Sequence, residues 1–96
     1  MTSSSYAFTR HAKDRSGVRA IPEMIAELII EYGESRDAGD GARKCALTKE
    51  SMSLLRRRAG SGIAKAIGFH RDRNAYVVAS GDRIVTVAYS NQSLFN

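Results

Sequence analysis

Residues 76–89 read YVVASGDRIVTVAY, and this stretch predicts a β-hairpin. Aromatic and β-branched residues, which favour strands, stand on both sides of a Ser-Gly-Asp turn at residues 80–82. The second strand of the hairpin is therefore expected over Arg83–Tyr89. Earlier in the chain, residues 43–47 place Cys45 and Leu47 on one side of the backbone and Lys44 and Ala46 on the other. This alternation predicts a short, half-buried strand. Together these segments predict a small, mostly antiparallel sheet of three strands.

The clearest helix is predicted over residues 21–32. Its apolar stripe follows helical spacing without a break and consists of Ile21, Met24, Ile25, Leu28, Ile29 and Tyr32. Pro22 suits the first turn, because a backbone N–H there has no partner inside the helix. Gly33 is expected to end this helix in a left-handed conformation.

Two further helices are predicted, one before the helix at residues 21–32 and one after the strand at residues 43–47. Residues 10–16 predict two turns capped by Thr9, and Lys49–Ala59 predicts a longer helix capped by Thr48. Residues 34–42 are rich in Gly, Asp and Ser and predict a surface loop.

The predicted order is therefore helix, helix, strand, helix, strand, strand, and the fold class is α+β. The amphipathic helices are expected to cover one face of the sheet, which leaves the other face open to solvent or a ligand. A chain of 96 residues has room for one core, so residues 6–96 predict a single domain. Residues 1–5 are small and polar and predict a flexible tail.

Composition excludes several classes of protein. Cys45 is the only cysteine, so the chain has neither an internal disulfide nor a cysteine-based zinc site. No apolar run approaches the roughly 18 residues of a membrane span, and no signal peptide is recognised at the start of the sequence. We therefore expect a cytoplasmic protein that does not associate with membranes and needs no cofactor.

Charge is distributed unevenly along the chain. The net charge is +5, but residues 1–42 hold five basic and seven acidic side chains, and residues 43–96 hold ten basic and three acidic ones. A half this basic predicts an anionic partner, and nucleic acid is the commonest such partner in the cytoplasm. The candidate nucleic-acid contacts are Arg56, Arg57, Arg58, Arg71 and Arg73.

These arginines also have simpler interpretations. Cations at residues 56–58 stabilise the negative end of a helix dipole whether or not they bind anything. His70 and Arg71 are expected to lie in a loop.

The candidate catalytic residues are His11, Arg15 and Thr86. His11 and Arg15 stand four residues apart on one predicted helix and share a face. Strand alternation groups Thr86 with Ile84 and Ala88 on the open face of the sheet, and places Tyr89 on the opposite face. RNA can be cleaved by attack of its own 2′-hydroxyl, a reaction that needs no metal. The groups that suit this reaction are an imidazole, whose ordinary pKa lies near neutrality, a guanidinium and a hydroxyl.

The opening sequence FTRHAKDR at residues 8–15 and the closing hairpin resemble a family of small bacterial proteins of unknown function. That family begins with a Thr/Ser-x-His-Ala-x-x-Arg helix and ends in a valine-rich hairpin with a Gly-Asp turn. It looks related to the barnase–EndoU–colicin–RelE group of metal-independent ribonuclease toxins. The resemblance implies ribonuclease activity, with His11, Arg15 and Thr86 as site residues.

The chain departs from this family pattern at two places. A second arginine of the first helix is represented only loosely by Arg19, and an arginine-rich helix over Lys49–Ala59 replaces a short connection.

The leading hypothesis is thus a toxin-like, metal-independent endoribonuclease. One alternative is a non-catalytic module that binds RNA or DNA. Another is an interaction domain, for example with an antitoxin protein, in which the exposed strand Arg83–Tyr89 pairs with a second chain.

Overall fold

A computed structural model describes the backbone of Ala7–Phe8 and all of residues 21–92. The elements are β1 (Ala7–Phe8), α1 (Glu23–Tyr32), β2 (Glu34–Gly39), β3 (Ala42–Ala46), α2 (Lys49–Ala59), α3 (Ser61–Asp72), β4 (Ala75–Ser80) and β5 (Arg83–Tyr89). The predicted flexible tail at residues 1–5 and the predicted helix at residues 10–16 lie outside the described residues.

The sheet contains more strands than the sequence predicted. Its order is β1-β5-β4-β3-β2, with β2 to β5 antiparallel to their neighbours and β1 parallel to β5. The protein is α+β overall, as predicted, but the prediction of a three-stranded sheet is wrong. The order helix, helix, strand, helix, strand, strand is also wrong, because the described chain runs helix, two strands, two helices, two strands after β1.

The loop predicted for residues 34–42 is a hairpin between β2 and β3. Asp40 and Gly41 form its two-residue turn, with φ angles of 53° and 78°. Two positive φ angles in succession match the right-handed twist of the strands, and Asp-Gly favours them. All six residues of β2 are exposed, so this strand lacks the apolar alternation that marks a half-buried strand.

A second helix follows directly on α2. Gly60 joins α2 to α3 with a φ of 95°, which a residue without a Cβ adopts readily. The two helices pack against each other, and Met52 of α2 approaches Gly68 of α3. The start of α2 therefore lies beside the end of α3.

All three helices bury apolar side chains in one core on one face of the sheet. Ile29 of α1, Leu55 of α2 and Ile67 of α3 are fully buried there, together with Val77 of β4 and Val87 of β5. Met24, expected in the apolar stripe of α1, is instead 66% exposed. Among the described residues, no helix combines the length and the apolar character that a membrane crossing requires.

Gly33 ends α1 for a reason different from the one expected. Its φ is −77°, so the left-handed conformation predicted from the sequence is wrong. A Cβ on Gly33 would lie 2.3 Å from the carbonyl oxygen of Ile29 and 2.7 Å from that of Ala46. Glycine is required here because α1 turns into β2 directly against β3.

Candidate functional site

A histidine and a tyrosine meet where α3 ends beside β5. Nδ1 of His70 lies 2.9 Å from Oη of Tyr89, which is a hydrogen bond. The two rings are parallel within 2°, with their centroids 6.3 Å apart. His70 is only 9% exposed and Tyr89 is half-buried. The bond therefore joins two polar groups that are largely withdrawn from solvent.

Helix periodicity and strand periodicity place each of these two side chains on the buried face of its own element. His70 follows Ala64 and Ile67 at intervals of three residues, so it continues the buried face of α3. Tyr89 is paired with Ala75 and shares the face of Val87, which is the face that the helices cover.

Backbone hydrogen bonds fix the segment that links α3 to the sheet. Asn74 has a φ of 60°, and its N–H donates to the carbonyl oxygen of Arg71 over 2.8 Å. Its own carbonyl accepts from the N–H of Ser90 over 2.9 Å, which ties the end of β5 to this link. The spacing between His70 and Tyr89 is thereby held from both sides.

Arg73 places a cation over the tyrosine. Its guanidinium carbon lies 4.3 Å from the ring centroid of Tyr89 and 5.6 Å from that of Phe69. Both distances fall within the roughly 6 Å range of cation–π attraction. Phe69 meets His70 edge to face, with the centroids 5.4 Å apart. We call His70, Tyr89, Arg73 and Phe69 the His70 cluster.

The surroundings of His70 favour its neutral form. Burial lowers the pKa of the imidazole below its ordinary value, and the positive charge of Arg73 lowers it further. A neutral imidazole at neutral pH can accept a proton, which is the property that a general base needs.

Next to the cluster, Arg71 has an unused hydrogen-bond donor. Its Nε is buried and has no hydrogen-bond partner. A buried donor without an acceptor is uncommon in folded proteins, and an anion oxygen or a water molecule can satisfy it. The end of α3 therefore offers both a charge and a free N–H.

Of the three residues predicted to be catalytic, Thr86 alone lies in the described part of the chain. His11 and Arg15 lie outside the described residues. Thr86 is paired with Val78 on the face of the sheet away from the helices, so it lies on the opposite face from Tyr89.

A β-bulge changes the strand alternation that was used to place Thr86. Val78 pairs with Thr86 while the next residue of β4, Ala79, pairs with Ile84, so Val85 is the extra residue of β5. Ile84 is consequently buried in the core, and its predicted place beside Thr86 is wrong.

The outer edge of β5 is also partly occupied. Its first two residues, Arg83 and Ile84, pair with β1, so the strand Arg83–Tyr89, expected to be exposed for pairing with a second chain, is covered at its start.

The predicted basic contacts form two groups. Arg56, Arg57 and Arg58 are exposed in the last turn of α2, whereas Arg71 lies in the last turn of α3 and Arg73 directly follows it. The length of α3 separates the groups by about 18 Å, since a helix rises 1.5 Å per residue. His70 and Arg71 are helical, so the loop predicted for them is wrong.

Sequence reasoning missed His70 and Tyr89 as a pair. The helical spacing of Ala64, Ile67 and His70 was a usable signal, and the strand phase of Val87 and Tyr89 was another. Neither pattern indicates that two residues 19 positions apart meet, because that depends on how α3 packs on the sheet.

Other chemistry-bearing groups lie away from the cluster. Lys44 places its Nζ 4.4 Å from the ring centroid of Tyr76 on the face of the sheet opposite the helices. Burial raises the pKa of the Cys45 thiol, although nearby Arg43 opposes this, so the thiol is a poor nucleophile. Within the described part of the chain, no three His, Cys, Asp or Glu side chains are grouped as ligands for a metal ion.

Comparison of the chain with protein-family models, with curated proteins and with solved structures finds no match.

Proposed function

We propose that this protein binds RNA and cleaves it by attack of the RNA's own 2′-hydroxyl at the His70 cluster. The observation that carries the proposal is the 2.9 Å hydrogen bond between the His70 imidazole and the Tyr89 phenol, with the Arg73 guanidinium over the tyrosine ring. These three groups can supply a base, an acid and a positive charge, so the reaction requires no metal ion.

The proposed reaction begins with the tautomer that carries its proton on Nδ1. In this tautomer His70 donates to Oη of Tyr89 and keeps a lone pair on Nε2. Nε2 takes the proton of the 2′-hydroxyl, the 2′-oxygen bonds to the adjacent phosphorus, and the bond from phosphorus to the 5′-oxygen breaks. The phenol of Tyr89 gives its proton to the 5′-oxygen and regains one from Nδ1. The products are a 2′,3′-cyclic phosphate and a 5′-hydroxyl.

Arg73 has a separate role in this proposal. The phosphate oxygens gain charge as the 2′-oxygen bonds, and the exposed guanidinium of Arg73 can donate hydrogen bonds to them and stabilise that charge. The unused Nε of Arg71 is a further donor for a phosphate oxygen.

The charge distribution supports RNA as the partner. The basic second part of the chain contains the whole cluster and also the exposed arginines at residues 56–58. We expect these arginines, about 18 Å from Arg73, to contact phosphates several nucleotides away from the cleaved bond. We also expect the protein to act in the cytoplasm.

A second candidate function is RNA binding without cleavage. It is favoured by the burial of His70, because a histidine that is 9% exposed and bonded to a tyrosine can hold α3 on β5 without taking part in any reaction. Arg73, Phe69 and the arginines of α2 would then bind RNA through charge and stacking alone.

Incubation of purified protein with RNA in EDTA separates these functions. We expect cleavage that leaves 2′,3′-cyclic phosphate ends, and we expect His70→Gln to abolish cleavage while binding persists. His11→Ala serves as the matched histidine variant and tests the role that the family resemblance implies. Binding without cleavage in the wild type would select the second candidate. Cleavage that survives in His70→Gln and is lost in His11→Ala would place the chemistry at His11 instead.

A further inference from the structure

Phe69 has an exposed aromatic ring in a position that packing does not explain. The side chain is 59% exposed, although a phenylalanine is normally among the more buried residues. Within the described residues, the other exposed large apolar side chains are Met24 at 66% and Ile63 at 45%, and neither has a ring. Phe69 therefore presents an apolar π surface to solvent at the edge of the His70 cluster.

The contacts of Phe69 hold the ring at a fixed place beside the cluster. Its centroid lies 5.4 Å from that of His70 in an edge-to-face arrangement, and the guanidinium of Arg73 lies 5.6 Å away. A cation near one ring and an exposed ring surface together match one nucleotide, which has a phosphate and a flat base.

We infer that Phe69 stacks an unpaired nucleobase and that the substrate of this site is single-stranded RNA. A base in a duplex has both faces covered by its neighbours, so it cannot stack on an external ring unless it leaves the helix. Stacking on one ring tolerates all four bases, because each base has a π face. Recognition here is therefore by strandedness rather than by sequence. This inference rests on the proposed RNA binding but does not depend on cleavage.

The absence of tryptophan from the sequence permits a direct test. Phe69→Trp places the only indole of the protein at the proposed stacking position, and Met24→Trp places it instead at an exposed apolar position of α1, to which no RNA contact is assigned, as a control. The probe is a single-stranded RNA oligonucleotide with 2′-O-methyl groups, which cannot be cleaved because its attacking oxygens are methylated. Its binding is measured independently by the anisotropy of a dye at one end.

We expect the oligonucleotide to quench the fluorescence of Phe69→Trp and to leave that of Met24→Trp unchanged. We also expect Phe69→Ala to weaken binding roughly tenfold, as the removal of one stacking ring does elsewhere, and Met24→Ala to bind like the wild type. The same strand annealed into a duplex should bind at least about tenfold more weakly than it does alone, because its bases are no longer free to stack.

The outcomes distinguish this inference from the proposed function. Binding without quenching of Phe69→Trp, or equal affinity for the duplex, would overturn the stacking role and leave RNA cleavage standing. Quenching by the methylated strand, combined with no cleavage of ordinary RNA, would support the stacking role and overturn the catalytic proposal. If neither the single strand nor the duplex binds, both the stacking role and the proposed function are overturned. A DNA strand of the same sequence that binds and quenches equally well would overturn the assignment of RNA as the specific substrate.

Discussion

Replacing Tyr89 with phenylalanine tests whether the histidine–tyrosine hydrogen bond contributes to the folded state. Tyr89→Phe keeps the ring, and with it the contact to the Arg73 guanidinium 4.3 Å from its centroid. It removes only Oη, which lies 2.9 Å from Nδ1 of His70. Because His70 is only 9% exposed, Nδ1 is left in a poorly hydrated place without a partner. Such a change costs about 1–2 kcal/mol, toward the lower end for a half-buried phenol.

This cost is large for a protein of this size. A chain of 96 residues has a free energy of unfolding of about 5–14 kcal/mol, at roughly 0.05–0.15 kcal/mol per residue. A destabilisation of about 1–2 kcal/mol lowers the Tm of such a domain by about 4–16 °C.

Urea unfolding followed by circular dichroism measures the effect. We expect the midpoint of Tyr89→Phe to fall with the slope unchanged, since the same surface is exposed on unfolding. Tyr76→Phe is the matched control, because Tyr76 lies on the other face of the sheet and its contact with Lys44 involves the ring. We expect its unfolding free energy to stay within about 0.5 kcal/mol of the wild type. If Tyr89→Phe unfolds like the wild type, the bond does not hold α3 on β5.

Three further predictions concern the fold, the pH response and RNA binding. Gly33→Ala should destabilise the protein by more than 2 kcal/mol or so, because the new Cβ meets the carbonyl oxygens of Ile29 and Ala46; a Tm equal to that of the wild type would contradict the close approach of α1 to β3. The lowered pKa of His70 means that the unfolded chain binds more protons than the folded one as the pH falls below about 6.5. The contribution of the neutral histidine to the free energy of unfolding is therefore complete above that pH and is lost as the pH falls through the folded pKa. In thermal melts between pH 7.5 and 5, the Tm of His70→Gln should consequently fall less than the Tm of the wild type. Parallel losses of Tm would show that His70 is not the group responsible. Replacing all three arginines at residues 56–58 with glutamine should lower the slope of log affinity against log salt by about 0.7 for each phosphate that the variant no longer neutralises, with the cleavage rate at saturating RNA unchanged; an unchanged slope would remove these arginines from the RNA-binding surface.

The sequence predicts best where one face of an element is buried. The apolar stripe at residues 21–32 corresponds to α1, and the β4–β5 hairpin has strands and a turn near those expected. Thr48 caps α2 as expected, since its Oγ1 accepts the N–H of Ser51 over 3.1 Å. These features depend on local spacing and local turn chemistry, which a sequence shows directly.

Elements whose apolar pattern is absent or interrupted by glycine were not predicted. The strand β2 is exposed along its whole length, so only the Asp40-Gly41 turn indicated it. The helix α3 has glycines at positions 62 and 68, which lower helix propensity, but packing of Ile67 in the core outweighs that cost. The bulge at Val85 likewise cannot be seen in a strand rich in β-branched residues.

The candidate site depends on local patterns, which the sequence shows, and on packing, which it does not. His70 and Tyr89 each occupy a position that local periodicity explains, but the hydrogen bond between them depends on the packing of α3 against the sheet. The motif around His11 is visible in the sequence, whereas the contacts of His70 with a tyrosine and an arginine exist only in the folded chain.

The most direct test of the central claim is an NMR titration of the wild-type protein with the methylated single-stranded RNA. The chain has two histidines, so the imidazole signals of His11 and His70 can be assigned and followed separately. We predict that RNA shifts the signals of His70 and of the backbone around Phe69 and Arg73, while the Lys44–Tyr76 face of the sheet changes little. RNA-induced shifts that bypass the end of α3 and concentrate on another surface would contradict the assignment of this cluster as the RNA site.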